Sequence, residues 1–97
     1  MIQYNDEVLA PYITMNEEER ASNFVALLKV DDEDFKAELT RLKTYIITAK
    51  QLFDSEPNNV LYERRIDNYS KDFEELLKTY RNSAKPTSVF NIRMGRG

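Results

Sequence analysis

The sequence predicts an all-α protein: a short first helix, then a long antiparallel helical hairpin (together three-helix bundle-like), and an extended C-terminal tail. Two apolar stripes and the break between them predict it. Phe35, Leu39, Leu42, Ile46, Ala49 and Phe53 recur at alternating spacings of four and three residues. Tyr62, Ile66, Tyr69, Phe73, Leu76 or Leu77, and Tyr80 keep the same rhythm. That alternation holds side chains on one face of an α-helix, so each stripe is a seam to be buried. Between the stripes, Asp54-Ser55-Glu56-Pro57-Asn58-Asn59 is a polar break long enough only to reverse the chain.

The elements follow in order. Residues 1–13 form an N-terminal arm in which Pro11 permits at most one short turn. A helical domain spans 14–82. Thr14-Met15-Asn16-Glu17 matches a capping box, in which the Thr hydroxyl accepts from the third helical amide and the Glu side chain reaches back to the cap. The first helix then runs from Met15 to about Leu28, with Ala21, Phe24, Val25 and Leu28 turned inward. Asp31 or Asp32 caps the second helix, and the acids after it fill the first turn, where the macrodipole favours them. That helix reaches about Asp54. Ser55 or Asn58 caps the third, Pro57 is tolerated in its opening turn, and the helix closes near Asn82 with Lys78 and Arg81 in its last turn.

Residues 83–97 form an extended basic-apolar tail. Pro86 stops helical continuation, Val89-Phe90-Asn91-Ile92 alternates as a short strand does, and both glycines lie in the last three residues. Val89, Phe90, Ile92 and Met94 sit beside Arg93 and Arg96 on a strip too short to bury them alone. The strip either folds back on its own helices or docks on another chain, and these six residues are the candidate partner-binding set.

Composition narrows the chemistry. The 97 residues are one domain, near the size at which stability is marginal or borrowed from a partner. Cys and His are absent, which removes disulfides, thiolate or imidazole metal sites, and the commonest nucleophiles and bases. Asp32-Glu33-Asp34 opens like a calcium loop, but the required Gly is missing and Lys36 takes a ligand position. No glycine precedes Gly95, so no glycine-rich phosphate cradle exists. The expectation is a non-enzyme with no cofactor or metal. No apolar run approaches the roughly 20 residues that span a bilayer, and the first residues lack the pattern of a signal peptide. A soluble protein made in the cytoplasm is expected.

Charge is uneven. Residues 1–34 carry nine acids against two bases, a balance of −7, whereas Lys85 to Gly97 carries three bases and no acid. Arg64-Arg65, Lys71, Lys78 and Arg81 are interspersed with acids, so i,i+3 and i,i+4 pairs are expected there and not a nucleic-acid stripe. Tyr62, Tyr69 and Tyr80 on the third-helix seam, with Tyr45 beside Ile46, serve either as core aromatics or as surplus surface for an oligomer contact.

Phe24-Val25-Ala26-Leu27-Leu28-Lys29-Val30-Asp31-Asp32-Glu33-Asp34, followed by the helix through Leu39, Ile46, Ala49 and Phe53, resembles the opening of small tailed-phage head–tail connector (adaptor) proteins. Phe73-Glu74-Glu75-Leu76-Leu77-Lys78-Thr79-Tyr80-Arg81-Asn82 is more loosely similar to their later helix, whose aromatic–Asn–Arg ending appears here as Tyr80-Arg81-Asn82. The resemblance covers about half of the chain. It implies a ring of copies between portal and tail, made in a host cytoplasm and incorporated in a virion, with the C-terminal tail gripping a neighbour.

The expected function is therefore that of a structural interaction protein, an oligomeric phage or viral assembly subunit that self-associates and binds a second assembly protein through its tail. The alternative is a small acidic inhibitor, its residues 1–34 mimicking phosphates on a basic surface of a host nuclease or DNA-binding protein. Direct nucleic-acid binding is not expected, because the three bases of the tail neutralise too few phosphates.

Overall fold

The computed structural model describes residues 2–84. The helical reading holds. A 3-10 turn, Ala10–Tyr12, is followed by α1 (Met15–Ala26), α2 (Glu33–Ser55) and α3 (Val60–Ala84). The hairpin helices are about 35 and 38 Å long at the helical rise of ~1.5 Å per residue. The body measures 50 × 26 × 21 Å, a rod set by the hairpin.

α2 is the central element, packed against α3 on one side and α1 on another. One core cluster joins Val25, Val30, Leu39, Leu42, Ile46 and Phe73. The other joins Leu9, Tyr45, Ala49 and Tyr62 nearer the hairpin turn. Every residue of the two stripes is buried or half-buried. Off the stripe, α2 also buries Thr40, Thr44, Tyr45 and Thr48, so it is covered on more than its seam. Thr40 and Thr44 donate their hydroxyls to the carbonyls of Lys36 and Thr40, each at 2.7 Å, which lets these polar residues face inward.

The caps explain the helix boundaries, with four corrections. Thr14 forms the expected capping box: Asn16 N–H donates to its Oγ1 at 3.2 Å, and the Thr14 amide donates to Glu17 Oε1 at 2.7 Å. Asp32 caps α2 by accepting from the amides of Asp34 and Phe35 at 2.9 and 3.1 Å. α1 stops at Ala26, two residues before the expected end, because Leu27, Leu28 and Lys29 tighten into i→i+3 turns and Lys29 enters the left-handed region at φ 59°. That reversal tucks Val30 into the core. α3 is capped by Asn59, not Ser55 or Asn58: the Leu61 amide donates to Asn59 Oδ1 at 2.9 Å. α2 itself runs through Ser55, which leaves Pro57 in the interhelical turn and not in α3. α3 continues two residues past Asn82, since only Pro86 forbids helix and the residue before it is the first disfavoured.

Candidate functional site

The six tail residues singled out from the sequence, Val89, Phe90, Ile92, Arg93, Met94 and Arg96, lie outside the described residues. Three arrangements within residues 2–84 bear on function.

The first is a polar latch that fastens the N-terminal arm to the hairpin. Asp6 begins a turn by accepting from the Val8 and Leu9 amides at 2.9 and 3.1 Å, and the turn drives Leu9 into full burial against Tyr45, Ala49 and Tyr62. The other side of the Asp6 carboxylate faces α3. Arg65 Nε donates to Oδ2 at 2.9 Å and the Tyr69 hydroxyl donates to the same oxygen at 2.5 Å. Burial pushes the Asp6 carboxyl up, but the Tyr69 hydroxyl, the Leu9 amide, Arg65 and the Val8 amide together hold it below the ordinary value of 3.8. Burial, then the same hydrogen bond, raises the Tyr69 phenol.

Tyr45 completes the latch. Its hydroxyl accepts from the backbone amides of Asn5 and Asp6 at 2.9 and 3.2 Å, and its ring stacks on Tyr69 at 4.6 Å between centroids. Tyr4 meets Tyr45 edge-on at 5.6 Å, and burial pushes the Tyr4 phenol up to about 12. The sequence offered Tyr45 as a core aromatic or as surplus surface, of which the first holds, and gave Asp6 no individual role. The hydrogen bonds that tie the arm to the hairpin span 39 to 63 residues along the chain, beyond any local pattern.

The second arrangement concerns charge. Four of the nine acids of residues 1–34 have structural tasks: Asp6 in the latch, Glu17 and Asp32 in caps, and Asp31 as acceptor from the Tyr80 hydroxyl at 2.7 Å. Glu17 is buried, which raises its carboxyl, but hydrogen bonds from the Thr14 hydroxyl and amide bring it below its usual range. The expected i,i+3 and i,i+4 pairs of α3 are not formed among the described residues. Arg65 turns instead to Asp6, and the other ion pair joins Arg41 to Glu38 on α2.

The third is exposed apolar surface. Phe24, expected inward, is 40 % exposed, because α1 faces α2 through Ala21 and Val25 and its Phe24 edge points between α1 and α3. Met15, Leu27, Val60, Leu61 and Tyr12 are also exposed, Leu27 by 76 %. Val60 and Leu61 open α3 beside the hairpin turn, and Leu27 lies past the far end of α1.

Among the described residues no helix is long and apolar enough to cross a membrane, and no group of three or more acidic side chains is placed to hold a metal ion. Comparison with protein-family models, curated proteins and solved structures finds no match.

Proposed function

We propose that this chain is a non-enzymatic structural subunit that self-associates into a homo-oligomer and joins a second assembly protein through residues 85–97. This is the role implied by its resemblance to small tailed-phage head–tail connectors, with incorporation in a virion. The exposed apolar side chains of a thin rod carry the reading. Val60 and Leu61 stand exposed side by side at the start of α3, an adjacent apolar pair of the kind a protein contact covers. The segment after α3 adds apolar side chains and three bases, in keeping with a contact to the acidic surface of an adjacent copy.

Light scattering on the full chain and on residues 1–84, across concentration and salt, tests the proposal. The full chain is expected as a salt-tolerant oligomer, and the shortened chain as a monomer of unchanged helicity, lighter than the 11.4 kDa of one full chain. A shortened chain that assembles normally removes the tail from the contact. A full chain that stays monomeric and binds a basic partner only at low salt favours the acidic inhibitor.

A further inference from the structure

We infer that the cleft between α1 and α3 is a docking site for an acidic helical segment of a partner protein, one that inserts a single large apolar side chain between two carboxylates. This inference rests on the interaction-protein reading and adds the chemistry of the partner.

The cleft exists because α1 and α3 each pack on α2 and meet one another mainly where Phe24 touches Phe73 edge-on, at 6.1 Å between ring centroids. Beside that contact, Ile46 and Leu77 complete an apolar hollow of about 220 Å³, lined also by half-buried Lys43 and exposed Lys50. The hollow has room for one or two large side chains and not for a whole helix. An aromatic or leucine anchor from a helix lying across it is the fitting occupant.

The lysines decide the charge of that occupant. Lys43 holds its ammonium 3.9 Å from the centre of the Phe24 ring. Burial, then the charge of Lys50, lowers the pKa of its amine. Among the described residues neither lysine has a carboxylate within 4.0 Å, although acids outnumber bases in the chain and Glu74 stands at the rim of the same cleft. Two neighbouring cations, one of them half-buried on an aromatic face, are therefore left to be met by an incoming anion. They are seven residues apart on α2, about 10.5 Å along the axis. A helix bearing carboxylates at i and i+7 and an anchor at i+4 matches that span on one face. The chain's own tail is a poorer occupant, because its charged residues are all basic and would face Lys43 and Lys50.

The experiment uses two alanine-based helical peptides of about 15 residues. One carries Glu, Phe and Glu at i, i+4 and i+7, and the other Lys, Phe and Lys. Each is titrated into the full chain while the Phe24 ring and Ile46 methyl resonances are followed. The acidic peptide is expected to shift both saturably, to bind roughly tenfold tighter than its basic counterpart, and to weaken with salt. The double variant K43E/K50E, checked for native helicity, is expected to reverse the preference. K43Q/K50Q, which keeps length without charge, is expected to abolish it should the reversal disturb folding. Equal binding of both peptides, no saturable shift, or an unchanged preference in both variants overturns the inference. So does a contact in the free chain between Phe24 and Val89 or Phe90, which would identify the tail as the occupant. A chain that self-associates yet ignores both peptides removes this inference alone and leaves the proposed function standing.

Discussion

At the scale of single residues, Asp6 does the most with the least. One carboxylate organises the arm's turn through two backbone amides and ties it to α3 through Arg65 and Tyr69. Its side chain is only 5 % exposed, so loss of the charge leaves donors aimed at a weak acceptor in a largely dry place. Asp6→Asn is expected to destabilise the fold by about 2 kcal/mol, the scale of a charged hydrogen bond, measured by urea unfolding at neutral pH. The pH dependence has a definite sign. The native carboxyl lies below its ordinary value, so this stabilisation is fully present above about 3.8 and is lost as pH falls through the lowered native value. Glu17 adds a loss of the same sign below its ordinary 4.5. Acid unfolding of Asp6→Asn should accordingly be shallower than that of the parent; parallel acid profiles would deny Asp6 this role.

At the scale of elements, the hairpin was legible because a buried helical face repeats its apolar residues at fixed spacing, and both seams meet as that repeat requires. Thr14 and Asp32 were legible for a local reason too, since a cap and its amides lie within three residues. The cap of α3 was misplaced because Ser55, Asn58 and Asn59 all carry suitable oxygens; the reach of α2 through Ser55 removes the first, and the Leu61 amide selects Asn59 over Asn58. Phe24 was misplaced because a helix packed on one neighbour buries a narrower face than a helix in a closed bundle. The arm's one short turn at Pro11 was legible, but its docking was not: Leu9, Tyr45 and Asp6 find each other only in three dimensions. Lys29 marks another element-scale strain. A lysine in the left-handed region costs about 1 kcal/mol that glycine avoids, offset in part by glycine's greater chain entropy. Lys29→Gly is therefore expected to stabilise by about 0.5 kcal/mol and raise Tm by a few degrees in a thermal melt. A lower Tm would mean the turn depends on the lysine side chain.

On the scale of the whole molecule, α2 is enclosed by three separate segments, and the fold is as strong as the weakest of them. The arm contributes a fully buried Leu9 and covers Tyr45, so its removal opens the cluster nearest the hairpin turn. Leu9→Ala, which keeps the arm but empties the site, is expected to cost about 3 kcal/mol in chemical denaturation. Amide exchange in that variant should rise first near Tyr45 and Tyr62 and only later around Leu39 and Phe73, which belong to the other cluster. Uniform acceleration along all three helices would show the two clusters to be one cooperative unit.

The latch also sets an order of events during synthesis. Asp6 is made before Arg65 and Tyr69, which follow 59 and 63 positions later. A nascent chain thus carries Asp6 without its side-chain partners, and Leu9 with only part of its seat, until α3 emerges. An earlier segment is fastened by a later one, and changes within the arm would act on the final fold and not on its first steps.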